Sequence, residues 1–237
     1  MTNLAPRQLA LALNHTESFA REDFLSGPSN AAALALIESW PQWPNPAIVL
    51  TGPEGSGKSH LAAVWSNMAG ARLVAARALD PAAVPATLAT GALVIEDAAA
   101  DAFDERALFH LLNLAREQQD YLLLTARTPP AAWSFAIRDL GSRLRALPSV
   151  TLAPPDDMLL RAVLVKLFAD RQIAVEESLV SYVLTRIERS FAAARKVVQQ
   201  LDAEAMRRKR ALTRALAAEI LRERGGFGGA GTGASRP

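Results

Sequence analysis

The octapeptide Gly52-Pro53-Glu54-Gly55-Ser56-Gly57-Lys58-Ser59 constrains this 237-residue chain more than any other stretch. It fits the pattern G-x-x-x-x-G-K-[ST] at every position. Glycines let the backbone wrap closely enough for successive N–H groups to converge on one concavity, which suits an anion with several oxygens. Lys58 brings a positive charge to the β/γ-phosphates of such an anion, and the Ser59 hydroxyl is placed to ligate Mg²⁺. The preceding run Ala47-Ile48-Val49-Leu50-Thr51 is short, apolar and partly β-branched, as a buried parallel strand requires. The following His60-Leu61-Ala62-Ala63-Val64-Trp65 reads as helix, whose positive end faces the same phosphates. A chance match in a glycine-containing turn does not come with this strand–loop–helix order. The stretch implies binding of a nucleoside triphosphate or diphosphate.

The rest of the chain alternates in the same way. Ala31 to Trp40 reads as helix, and Trp40-Pro41-Gln42-Trp43-Pro44-Asn45-Pro46 cannot continue it. The two tryptophans are expected to cover core. Arg72 to Ala75 is a weak strand candidate, and the Ala-rich stretch Asp80 to Thr90, with Pro81 and Pro85, has no clear state. Leu93-Val94-Ile95-Glu96-Asp97 is an apolar strand ending in two carboxylates. Asp104 to Gln119 carries Leu108, Leu111, Leu112 and Ala115 on one helical face. Tyr121 to Thr125 is the next strand, Ile137 to Leu144 a short helix, and Ser149 to Leu152 a last strand. Such alternation predicts an α/β fold with an open, mostly parallel sheet covered on both faces. After Pro154-Pro155 only helical periodicity remains: Asp156 to Asp170, Glu176 to Glu188, and Phe191 to Arg224 with a break. The end, from Gly225, is rich in Gly, Ser and Ala and is expected to be disordered. The expected divisions are an extension at 1–18, an α/β subdomain at 19–153, a helical subdomain at 154–224 and a tail at 225–237.

Composition sets the outer limits. Hydrophobic residues make up 50% of the chain, enough for one large domain with a small appendage. No apolar run approaches the roughly 18 residues of a membrane span, and the first residues lack the pattern of a secretory signal, so a cytoplasmic protein is expected. With no cysteine there is neither disulfide nor thiolate-bound zinc, and three scattered histidines do not suggest a metal site. The balance of 26 Lys+Arg against 24 Asp+Glu does not resemble a dedicated nucleic-acid binder.

Further residues carry a chemical and a plainer reading side by side. Glu96 and Asp97 lie where parallel sheets bind ligands, one suited to hold Mg²⁺ through water and the other to polarise an attacking water; otherwise they are a solvated strand end. Arg143 is placed to reach a neighbouring subunit's γ-phosphate, or is an ordinary surface arginine. Arg195 stands at the start of a helix able to fold onto the nucleotide, or again at a surface. The run Arg207-Arg208-Lys209-Arg210 is a DNA-phosphate contact or a solvated helix face. At the N-terminus Leu9, Leu11 and Leu13 alternate with alanine after Gln8, either as a strand on the core or as a peptide docking into a partner's pocket.

Taken in order, these stretches resemble an AAA+ module, and more narrowly the DnaA replication-initiator family. Phe24-Leu25-Ser26-Gly27-Pro28-Ser29-Asn30 is similar to the segment leading into that family's ATPase domain, and Leu108-Phe109-His110-Leu111-Leu112-Asn113 to the helix after its acidic strand. Ser142-Arg143-Leu144 matches the box with the family's arginine finger, and Ala194-Arg195-Lys196-Val197-Val198 its sensor-2 arginine. The resemblance covers about residues 20 to 222. DnaA continues into a helix-turn-helix domain that has no counterpart in this sequence, and Gln8 to Leu13 is similar to the sliding-clamp-binding peptide of the short Hda-like regulators.

The resemblance implies an AAA+ module with a helical lid, binding ATP or ADP with Mg²⁺ through Ser59 and Glu96. It also implies an adaptor that meets the DNA polymerase III sliding clamp (beta subunit) through Gln8, Leu9, Leu11 and Leu13. Its Arg143 acts in trans on ATP bound to the DnaA initiator, DNA is met indirectly through the clamp, and self-association is a further contact to test. The open alternative is a DnaA-like DNA-remodelling ATPase or helicase loader acting directly on DNA. Two departures stand out. Glu96 replaces the usual Asp and Asp97 is shorter than the Glu of many AAA+ motors, so slow intrinsic hydrolysis is expected. Thr125 is the nearest polar residue to the sensor-1 position, with Arg127 where an acidic residue is expected.

Overall fold

A computed structural model describes residues 19–223. The clamp-like residues Gln8, Leu9, Leu11 and Leu13, and the Gly-rich end from Gly225, lie outside the described residues.

Five strands, β1 (Ala47–Thr51), β2 (Arg72–Ala75), β3 (Ala92–Ala98), β4 (Tyr121–Ala126) and β5 (Ser149–Thr151), form one sheet in the order β2-β3-β4-β1-β5. Every pairing is parallel. The expectation of a parallel sheet holds, and the weak candidate Arg72 to Ala75 is its edge strand. Every residue of β1 is buried, which accounts for its uninterrupted apolar run. Thr51 pairs with Ala126 and Thr151, so β1, β4 and β5 end side by side at the carboxyl edge where the loop at Gly52 begins.

Helices cover both faces. α1 (Ala31–Glu38) and α2 (Lys58–Ala69) pack Ile37, Leu61 and Trp65 on Ile48, Leu50, Val94 and Leu123. α3 (Val84–Thr87), α4 (Glu105–Gln118) and α5 (Arg138–Ala146) pack Val84, Leu108, Leu111, Leu140 and Leu144 on Val49, Leu93, Ile95 and Leu124. The alternating β residues thus supply two apolar faces at once. Trp43 stacks on Trp65 at 4.9 Å between centroids and Trp40 meets Tyr121 edge-on at 5.7 Å, so both tryptophans serve the core as expected. The stretch of unclear state forms a short 3-10 turn at Pro81–Ala83, capped by Asp80, and then α3.

Four helices follow: α6 (Asp157–Ala169), α7 (Glu177–Leu184), α8 (Phe191–Arg208) and α9 (Arg214–Glu223). They bury their own cluster, including Leu160, Leu164, Phe168, Val183, Val198, Leu201, Leu216 and Ile220. α7 stops short of the expected Glu188. The anticipated break in the last helix falls at Lys209, whose φ of 50° is left-handed. Side-chain caps explain the starts: Asp156 accepts from the Leu159 amide at 2.7 Å, and Ser190 from the Ala193 amide at 3.1 Å. Among the described residues no helix is long and apolar enough to cross a membrane.

Candidate phosphate-binding site

Gly52, Gly55 and Gly57 all have positive φ, at 147°, 72° and 101°. At Gly52 a Cβ meets the Leu152 carbonyl oxygen at 2.4 Å, so a side chain there collides with backbone. The loop feeds directly into α2, whose first residue is Lys58 and whose N-cap is Gly57. The first amides of α2 therefore face the loop concavity together with the Lys58 ammonium.

Lys58 is buried, and its Nζ donates to the carbonyls of Gly52 at 2.8 Å and Pro53 at 2.7 Å. Burial pulls its pKa below the ordinary lysine value, and Arg127 adds to that, while Asp97 and Glu54 favour the charged form. Ser59 is exposed in the first turn of α2, whereas Ser56 is buried and its Oγ has no hydrogen-bond partner among the described residues. A concave glycine loop, a buried ammonium, a helix N-terminus and an orphaned hydroxyl together fit a phosphate group.

The helical bundle closes on this loop. The Phe191 amide donates to the Gly55 carbonyl at 2.9 Å. A Cβ at Gly55 falls 2.8 Å from Ser190 Cβ and 3.1 Å from Ala192 Cβ. Near Gly57 the rings of Phe191 and Phe24 stand 3.4 and 3.5 Å from where a Cβ falls. Arg195 lies one turn after Phe191 on α8, half-buried, on the helical face that Phe191 turns to the loop. Sequence reasoning missed Ser190 and Phe191 as loop partners. The signal available was Ser190 ahead of an apolar-periodic run, which marks a cap without showing what the capped turn touches.

The acidic strand differs from the expectation in one respect. β3 runs past the carboxylates to Ala98, with a register shift between Ile95 and Ala98. Asp97 occupies the extra position at φ 55°, exposed, and Glu96 pairs with Ala75 of the edge strand, half-buried. The Asp97 amide donates to Thr125 Oγ1 at 3.1 Å. Thr125 is itself fully buried in β4, so this hydroxyl fixes the bulge. Among the described residues no three His, Asp or Glu side chains group as a metal cage. Mg²⁺ beside phosphates commonly uses one or two carboxylates with waters; Ser59, exposed, and Glu96, half-buried, carry oxygen groups of that type.

Arg143 is not drawn into the loop. Its Nη1 donates to Asn113 Oδ1 at 2.5 Å, its Nη2 lies 3.0 Å from Asp139, and the guanidinium stacks 5.1 Å above Phe109. These partners lie on α4 and α5 and leave the side chain 35% exposed. Three arginines of the basic run are paired within the bundle: Arg207 and Arg208 bond Glu204, Arg208 also Glu219 and Glu223, and Arg210 Glu219.

No protein-family model and no curated protein matches the sequence. Solved structures do. Domain III of the Thermotoga maritima replication initiation protein DnaA superposes with a TM-score of 0.73 at 17% identity, over 86% of this chain and 96% of that one. The Thermotoga maritima RuvB Holliday junction branch migration motor gives 0.69 at 15%, over 87% and 72%. AMPPCP-bound DnaA from Aquifex aeolicus gives 0.65 at 16%, over 81% and 68%. At such identities the likeness is one of architecture, and the α/β chain has the AAA+ fold shared by DnaA and RuvB.

Proposed function

We propose that this chain is a nucleotide-dependent regulatory adaptor of the Hda type, which binds ATP or ADP and promotes ATP hydrolysis by the initiator DnaA. The loop amides and Lys58 hold the β/γ-phosphates, Ser59 and Glu96 hold Mg²⁺, and Asp97, set by Thr125, orients a water. Arg195 covers the nucleotide from the helical lid. Bound Mg²⁺ supplies positive charge against the phosphate oxygens. Gln8, Leu9, Leu11 and Leu13 dock the protein on the DNA polymerase III sliding clamp, so DNA is reached through the clamp.

The observation that carries the adaptor role is the bracing of Arg143 by Asp139, Asn113 and Phe109 on a surface that leaves it partly exposed. A guanidinium held in this way loses little freedom on meeting a second protein's phosphates. Donating to the oxygens of a transferring phosphoryl group, it stabilises charge that develops in the transition state; arginine fingers contribute about 10³–10⁵ in rate. DnaA left with ADP is then unable to start another round, and replication does not re-initiate. The rival, a DNA-remodelling ATPase, would meet phosphates through the basic run, where Glu204, Glu219 and Glu223 hold Arg208 while Arg207 and Arg210 stay largely exposed.

The test is single-turnover hydrolysis of ATP preloaded on DnaA, with clamp-loaded DNA, with and without this protein. Acceleration that requires the clamp supports the adaptor. No acceleration with either ADP or ATP on this protein, together with salt-sensitive DNA affinity in the absence of clamp, supports the rival.

A further inference from the structure

Arg127 is a second cation at the loop. It follows Ala126, the last residue of β4, whose carbonyl accepts from the Gly52 amide at 3.2 Å. The chain therefore leaves the sheet beside the first glycine of the loop. Arg127 Nη2 reaches Glu54 Oε2, in the loop itself, at 2.8 Å. Both side chains are largely exposed, at 69% and 75%. A pair of this kind is held weakly in water and exchanges partners readily. The Arg127 charge acts on Lys58 against its protonated form, which places both cations in one field.

The chemistry orders the competing partners. Glu54 offers Arg127 one negative charge. A terminal phosphate offers more charge and three acceptor oxygens in a geometry that a guanidinium fork matches. Lys58 spans two loop carbonyls and meets the phosphates from the base of the loop, whereas Arg127 sits at the rim on a long, exposed side chain.

Resting on the nucleotide binding proposed above, we propose that Arg127 is a specificity-determining residue. Its guanidinium transfers from Glu54 to the terminal phosphate of a nucleoside triphosphate on the loop, so the site distinguishes triphosphate from diphosphate. Glu54 retains Arg127 when the diphosphate is bound. The pair is a two-position reader of the nucleotide.

The experiment titrates the full chain, with Mg²⁺, against fluorescent ADP and a non-hydrolysable fluorescent ATP analogue, in wild type, Arg127→Ala, Arg127→Lys and Glu54→Gln. Arg127→Ala is expected to weaken the triphosphate about tenfold and the diphosphate less than about twofold. Arg127→Lys should restore part of the difference, and Glu54→Gln should tighten the triphosphate by releasing its competitor. Equal losses for both nucleotides, or no loss, overturn the assignment of Arg127 while leaving nucleotide binding intact. A correctly folded wild type that binds neither nucleotide overturns the binding itself and this assignment with it.

Discussion

The Phe191 amide donates to the Gly55 carbonyl at 2.9 Å, so the helical bundle is hydrogen-bonded to the phosphate loop itself. The bond is reinforced by the approach of Ser190 and Ala192 to Gly55, which leaves no room for a side chain there. Loop and bundle thus meet at Gly55, with Phe191 also standing beside Gly57.

Gly55→Ala should separate them. Alanine at φ 72° is strained, and its Cβ falls 2.8 Å from Ser190 Cβ. The expected cost is about 1–3 kcal/mol, from the left-handed backbone and the crowding together. Hydrogen exchange at the Phe191 amide should accelerate, and nucleotide affinity should fall. Unchanged exchange at that amide would show that the bundle does not depend on this contact.

Lys58→Ala should abolish nucleotide binding and also loosen the loop, because the carbonyls of Gly52 and Pro53 lose their donor. The buried Gly52 carbonyl left unmet costs on the order of 1–3 kcal/mol, and the exposed Pro53 carbonyl, which water can reach, less. A nucleotide titration beside a urea melt separates the two effects: the fold should survive at reduced stability, and binding should not.

The pH dependence of stability should carry the mark of Lys58. Burial, its largest influence, lowers the folded-state pKa below 10.5. Between that lowered value and 10.5 the unfolded chain holds a proton that the folded chain has released, so stability rises with pH across the window. In Lys58→Met this contribution is lost. Urea melts of both proteins up to and beyond pH 10.5 should show the difference moving in favour of the wild type and then levelling. A constant difference would mean that the ammonium is not desolvated in the loop.

Arg143→Ala should leave this protein's own nucleotide affinity within about twofold, since among the described residues Arg143 bonds groups on α4 and α5, away from the loop. Stimulation of DnaA hydrolysis should fall by at least about a hundredfold. Full stimulation by the variant would remove Arg143 from its proposed role.

Arg208→Ala should lower the thermal midpoint by releasing α9 from α8, because Arg208 joins Glu204 of one helix to Glu219 and Glu223 of the other. Salt should narrow the gap from wild type. Arg208→Lys should rescue only in part, since an ammonium lacks the fork that meets three carboxylates.

Much of this arrangement was legible in the residues. The apolar runs at Ala47, Leu93 and Tyr121 gave the strands, and the glycines around Lys58 gave the loop, because both signals are local. The bulge at Asp97 was hidden, since it depends on a threonine hydroxyl 28 positions away on the neighbouring strand. The pairing within the basic run was hidden, because the glutamates that hold Arg207, Arg208 and Arg210 come partly from α9, up to 15 positions later. Arg127 stood out as an unexpected residue, but its tie to Glu54 spans 73 positions and leaves no local trace.

The backbone at Asp97 also bears on how this strand can be altered. At φ 55° an aspartate is tolerated better than a longer carboxylate, because short Asx side chains accept the left-handed region more readily. Replacing Asp97 with the glutamate of faster motors therefore does more than lengthen an acid by one carbon. It also places a longer side chain on a left-handed residue, so Asp97→Glu carries a small backbone cost at the bulge that Thr125 holds.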